Sequence, residues 1–123
     1  KESTKLHLFE AAIDLLSYAT MEYRAGRDWR KEHLLSLAGV YVTKREDVVP
    51  VALERYLKVH PAIDTIILHL DRDAIGRGAA QGIINGLGKR YAIQDELPEY
   101  GNDMNDTLMH HLMRSQTREA NTR

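Results

Sequence analysis

The residues best suited to chemistry in this chain are carboxylates placed just after apolar runs. Glu10 follows Leu6–Phe9, Asp71 and Asp73 follow the run Thr65–Leu70, and Asp103 and Asp106 lie in the loop Gly101-Asn102-Asp103-Met104-Asn105-Asp106. In an open α/β sheet, ligands bind beyond the carboxyl ends of the strands. Residues i and i+2 of an extended chain point to the same side, so Asp71 and Asp73 are expected to converge. If the first and third strands are neighbours, Glu10 reaches the same point. Carboxylates packed this closely repel one another and take up protons unless a cation lies between them. The chain has no cysteine, and a cluster of oxygen ligands selects a hard ion, Mg²⁺, with Mn²⁺ as substitute. Such an ion keeps positions open for water and phosphate oxygens and aligns an in-line displacement.

Each of these groups also has a structural use. An Asp after a strand is well placed to cap a helix, and Asp73 directly precedes a helical pattern. Residues 22–33 interleave Arg24, Arg27, Arg30 and Lys31 with Tyr23 and Trp29, a pattern that suits single-stranded nucleic acid through phosphate contacts and base stacking. Glu22, Asp28 and Glu32 dilute that charge, and a solvated loop is the favoured reading. His110 and His111 are adjacent, so on a helix they diverge and face surface or partner rather than a shared metal. His7 and His69 fall inside strands and are expected to be packed or hydrogen-bonded. Ser17 has no His/Asp framework around it and reads as structural.

The elements that must position the carboxylates alternate along the chain. Strands are expected at Leu6–Phe9, Leu34–Val42, Thr65–Leu70 and Tyr91–Ile93. A helix over Ala11–Ala25 puts Ile13, Leu16 and Tyr23 on one side, with Gly26 as a left-handed stop. Thr43 and Glu46 have capping-box spacing ahead of a helix carrying Val49, Leu53, Tyr56 and Leu57, which Pro61 closes. Residues 76–87 place Ala79, Ile83 and Leu87 on one face, with Gly88 as the stop, and Gly78, Ala79, Ala80 and Gly82 allow close approach to a sheet. The last helix is expected from Asn105 or Asp106, using Leu108, Met109, Leu112 and Met113. Strand–helix alternation implies a parallel sheet with right-handed crossovers, a three-layer α/β domain. The domain is placed at 1–114, with a frayed polar tail at 115–123.

Composition bounds the classes. The 123 residues make one domain rather than two, with 43% hydrophobic and 28% charged residues, as in ordinary folded chains. Seventeen Lys and Arg against eighteen Asp and Glu leave a net charge of -1, which excludes a chain-wide nucleic-acid coat but not a local basic patch. The absence of cysteine excludes disulfides, thiolate zinc sites and thiol catalysis, and fits a reducing, cytoplasmic setting. No apolar run spans a bilayer and the start lacks a signal-peptide pattern.

Three motifs carry a family resemblance. Phe9-Glu10-Ala11-Ala12-Ile13-Asp14-Leu15-Leu16-Ser17 resembles the first motif of TOPRIM domains, a strand-terminal Glu with an Asp four residues on. Leu70-Asp71-Arg72-Asp73-Ala74-Ile75-Gly76-Arg77 resembles the DxD motif with the small residues and Gly that follow it. Gly101–Asp106 is similar to the third, GKDxND-like motif. Order and spacing match from about Leu6 to Leu112, most closely in the primase-like subgroup of plasmid and conjugative-element proteins. The resemblance implies a Rossmann-like fold of about four parallel strands flanked by helices, and Mg²⁺-dependent chemistry on nucleic-acid phosphodiesters. By position, it makes Glu10 the general acid/base or a metal-linked carboxylate. Asp71 and Asp73 become metal ligands, Asp14 a supporting carboxylate, and Asp103 and Asp106 contributors to a second ion or to the site's charge. Asn102 stands where the family often has Lys, which removes a cation that would meet phosphate or a nucleotide. Arg77 would partly replace it, or else be a solvated residue of a first helical turn.

The resemblance implies a primase-like core acting on single-stranded DNA and nucleotides. It is expected to be one domain of a longer protein whose template-binding or zinc-binding parts lie elsewhere. Topoisomerases of the family carry their nucleophilic tyrosine outside this domain, so strand passage by this chain alone is not expected. A metal-dependent nuclease using the same carboxylates, and a catalytically silent docking domain, are the alternatives. A haloacid-dehalogenase-type phosphatase would carry DxD after its first strand, and a receiver domain would pair its acids there and add a late Lys. Neither pattern is present.

Overall fold

The alternating pattern folds as a parallel sheet flanked by helices in a computed structural model, which describes residues 2–37 and 49–122. The elements in order are β1 (Lys5–Phe9), α1 (Ala12–Arg24), a 3-10 turn (Trp29–Lys31), β2 (His33–Ser36), α2 (Val51–Val59), β3 (Thr65–His69), α3 (Ala74–Leu87), β4 (Ala92–Asp95) and α4 (Met104–Thr122). All strand pairs are parallel, in the spatial order β2-β1-β3-β4. The first and third strands are therefore neighbours, and Phe9 pairs with His69. That register places Glu10 and Asp71 beyond adjoining strand ends.

Alternation along the strands sorts the side chains between two faces. Leu6 and Leu8 of β1 with Ile66 and Leu68 of β3 meet Leu53 and Leu57 of α2 and Ala80, Ile83 and Leu87 of α3 in one apolar cluster. Burial of each such Leu or Ile contributes roughly 1.5–3 kcal/mol. The other face carries His69, stacked with His7 and Phe9, and Tyr18 of α1 packs tilted against all three, at ring separations of 4.9–5.4 Å. His7 and His69 are buried and joined by a 2.8 Å Nδ1···Nε2 hydrogen bond, with His7 Nε2 2.7 Å from Glu32. Burial, then the neighbouring His7, hold the His69 imidazole down at about 3, so it packs as a neutral ring.

Several expectations are corrected. Ile13, Leu16 and Tyr23 of α1 are exposed by 54%, 59% and 74%, and the buried residues are Asp14, Ser17 and Ala19. Polar groups turn inward because they bind the start of α4. Asp14 Oδ1 accepts the Asn105 N–H at 3.3 Å and Ser17 Oγ donates to Asn105 Oδ1 at 3.1 Å. On α3, Gly78 faces open space, whereas Gly76, Ala80 and Gly82 are buried. On α4, Met109 and Met113 are exposed, whereas Met104 and Thr107 are buried. The helix continues through the polar stretch from Ser115 to Thr122 instead of fraying. Gly26 has φ +78° and follows α1 as the left-handed stop, but Gly88 caps α3 in an ordinary right-handed conformation. β2 is observed at His33–Ser36. The rest of the expected strand and the Thr43–Glu46 capping box lie outside the described residues.

Candidate metal centre

The carboxyl ends of β1, β3 and β4 converge on the N-termini of α1, α3 and α4. These helix ends expose unpaired N–H groups and a positive dipole end, an environment suited to anions. Asp14, in the first turn of α1, Asp71, two residues past β3, and Asp103, just ahead of α4, place ligand oxygens within 4.8 Å of one another. Glu10 adjoins Asp71.

Like charges in a half-buried site resist ionisation. Burial, then the adjoining Glu10 carboxyl group, then the charges of Asp103 and Asp73, push Asp71 up to about 7. Burial is also the largest influence on Asp14, which rises to about 6, with Asp103 and Asp71 adding to it and the Asn105 N–H opposing. Glu10 Oε1 and Asp71 Oδ1 are buried with no donor from the rest of the chain, and the two carboxyl groups face each other. A pair of orphaned carboxyl oxygens beside a three-carboxylate cluster is what a divalent cation would satisfy, so the donors present fit a hard metal ion.

Asp73 is placed differently. One oxygen caps α3 by accepting the Gly76 N–H at 2.9 Å, and the other accepts the Asn102 amide at 3.1 Å. These two bonds, the Gly76 N–H foremost, hold its carboxyl group below the usual range. Its side chain thus serves the helix start while its charge adds to the field on Asp71. Asp106 closes its own loop, accepting the Asn102 N–H at 2.8 Å. Asp103 Oδ1 accepts the Asp106 N–H at 2.8 Å and so caps α4.

Four of the cations singled out from sequence are engaged. Arg77 pairs with Asp95 at 2.7 Å, and its guanidinium also donates to the backbone carbonyls of Asp71 and Leu70. It fastens the end of β3. Arg27 pairs with Glu22 at 2.6 Å and Arg30 with Asp28 at 3.1 Å, as a solvated loop would. Arg24 contacts Ser115. A groove of about 610 Å³ runs between α1 and α4, lined by Tyr18, Arg24, Arg27, Glu99, His111 and Arg118 among others. It contains none of the clustered carboxylates.

Three residues that hold the site were assigned no role of their own from sequence. Arg72, between the two Asp residues, donates its backbone N–H to Asn102 O at 2.7 Å and its side chain to the carbonyls of Gly101 and Pro98. Asn105 bridges Asp14 and Ser17, as described above. Gly76 packs so closely that an added Cβ would lie 2.2 Å from the Asp71 carbonyl oxygen. The small-residue run after Asp73 was the available signal for Gly76. For Asn105 the available signal was its place in the GKDxND-like motif, whereas contacts between distant loops left none for Arg72.

Comparison with known proteins agrees with this geometry. A family model described as Toprim-like matches residues 7–108, which include Glu10, Asp14, Asp71, Asp73, Asp103 and Asp106. No curated protein and no solved structure gives a significant match.

Proposed function

The chain belongs to the Toprim-like family, whose domains bind divalent metal and process nucleic acid, and from that premise we propose that it is the Mg²⁺-dependent catalytic core of a DNA primase-like protein. Mn²⁺ is the substitute ion and single-stranded DNA the template. The observation that carries the reading is the pair of buried oxygens, Glu10 Oε1 and Asp71 Oδ1, with no donor from the rest of the chain, beside the Asp14–Asp71–Asp103 cluster.

Asp14, Asp71 and Asp103 would hold the ion, with Glu10 adjoining and Asp73 contributing charge from its capping position. When bound, the ion supplies charge neutralisation on a phosphate and alignment for in-line displacement. Glu10 would assist transfer of the proton from an attacking primer hydroxyl. The helix N-termini around the cluster favour the nucleotide's phosphates. Arg72 and Asn102 keep the loops after β3 and β4 in register.

A nuclease is the second reading, with water in place of the primer hydroxyl. It is favoured by one observation: Asn102 carries no charge and Arg77 is tied to Asp95, so neither offers a free cation to a nucleoside triphosphate. Incubation with labelled single-stranded DNA and Mg²⁺, with and without nucleotides, separates the readings. Longer products with nucleotides support the primase, and shorter products without them support the nuclease. Unchanged DNA under both conditions would leave a silent docking domain and overturn both.

The setting proposed is a cytoplasmic, longer protein with its template-binding parts in other domains, this domain occupying residues 1–114 with the end of α4 running on past it. No helix among the described residues is long and apolar enough to cross a membrane.

A further inference from the structure

A second cluster of metal-binding side chains lies at the opposite end of the sheet. His33 opens β2, His60 follows α2, and Glu2 precedes β1. Ligand atoms of these three residues lie within 4.8 Å of one another. Glu2 Oε1 is 2.7 Å from His60 Nδ1 and 3.3 Å from His33 Nε2. The His33 side chain is only 13% exposed. Its Nε2 is buried and lacks a hydrogen-bond partner, because the 3.3 Å approach to Glu2 is not aligned as a hydrogen bond.

The surroundings orient the rings. Tyr56 Oη is 2.7 Å from His33 Nδ1, which leaves Nε2 as the nitrogen facing Glu2. Tyr56 also packs against His60 at 4.3 Å and meets His33 edge-on at 5.5 Å. A hydrogen bond to the far nitrogen of a ligating imidazole is the usual means of fixing its ring toward a metal.

We propose that Glu2, His33 and His60 form a site for a borderline divalent transition cation, Zn²⁺ foremost, distinct in place and chemistry from the carboxylate cluster. Two imidazoles and a carboxylate suit Zn²⁺ and exclude Mg²⁺, which takes oxygen ligands. Metal–ligand bonds of about 2.0–2.1 Å at the tetrahedral angle set ligand atoms about 3.3 Å apart, the separation already found between Glu2 and His33. His60 and the exposed Glu2 need only relax from their direct hydrogen bond to admit the ion. Three protein ligands leave a fourth position for water or an incoming group. Occupancy ties the segment ahead of β1 to β2 and α2.

The test is titration of the tag-free, chelator-treated protein with Co²⁺, whose visible absorption reports a four- or five-coordinate site containing imidazole. One equivalent is expected to bind, to be displaced by Zn²⁺, and to be unaffected by excess Mg²⁺. Glu2→Gln should weaken binding at least about tenfold and His60→Ala should abolish the spectrum. The double variant Asp71→Asn/Asp103→Asn should keep it. Circular dichroism of His60→Ala establishes that the fold is intact. Absence of the spectrum in the wild type, or its persistence in folded His60→Ala, overturns the proposal.

Discussion

The Asn102 side-chain amide donates to Asp73 Oδ2 at 3.1 Å and so joins the loop after β4 to the loop after β3. The same two loops are joined by Arg72 N–H to Asn102 O at 2.7 Å. Asp71 and Asp103 thus sit on loops laced together through residues beside them. Removing the amide in Asn102→Ala should cost about 1 kcal/mol, seen as roughly fivefold weaker Mn²⁺ binding by calorimetry. Unchanged affinity would show that the lacing does not position the carboxylates.

The acid pair makes the metal-free protein pH-sensitive. A carboxyl group whose folded value is raised binds its proton more tightly when folded. That contribution is complete below about 3.8 and is lost as pH rises to about 6 for Asp14 and about 7 for Asp71. At pH 8 Asp14 and Asp71 are both ionised and repel, so Asp71→Asn should stabilise the metal-free chain by about 1 kcal/mol. For a chain of this length that is a rise in Tm of about 4 °C. Divalent metal competes with these protons, so its affinity should increase between pH 5.5 and 8. Thermal melts and calorimetry at both pH values check the two signs.

Two glycines of α3 should respond oppositely to the same change. Gly76→Ala forces a Cβ against the Asp71 backbone and should cost roughly 2 kcal/mol or more, weakening metal binding at the same time. Gly78→Ala meets nothing within 4 Å and should stabilise by about 0.5–1 kcal/mol. Denaturant unfolding of the two variants provides the comparison.

Arg77 is assigned to fastening β3, so Arg77→Ala should lower stability by about 1–2 kcal/mol. The slope of single-stranded DNA affinity against salt concentration should not change, because that slope counts phosphate contacts. A shallower slope would make Arg77 a nucleic-acid contact.

The carboxyl-end placement of Glu10, Asp71 and Asp103 was legible because β-branched and apolar runs mark buried parallel strands clearly. The approach of Glu10 to Asp71 needed only the adjacency of β1 and β3. The role of Asp73 was not legible, since an Asp before a helix reads the same whether it caps or binds metal. The orientation of α1 was misread because apolar spacing pointed to Ile13, Leu16 and Tyr23. The contacts of Asp14 and Ser17 with α4 turn the other face inward, and those partners lie some ninety residues away. Glu2, His33 and His60 are likewise joined only by the fold.

The most direct test of the metal centre is calorimetric titration of the tag-free protein with Mg²⁺ and Mn²⁺ at pH 8, repeated with single-stranded DNA present. Binding is expected in the wild type, retained within a few-fold in Asp73→Asn, where the cap survives, and lost in Asp71→Asn/Asp103→Asn. No binding in the wild type under either condition, or equal binding in the folded double variant, would contradict the assignment of these carboxylates as the catalytic metal site.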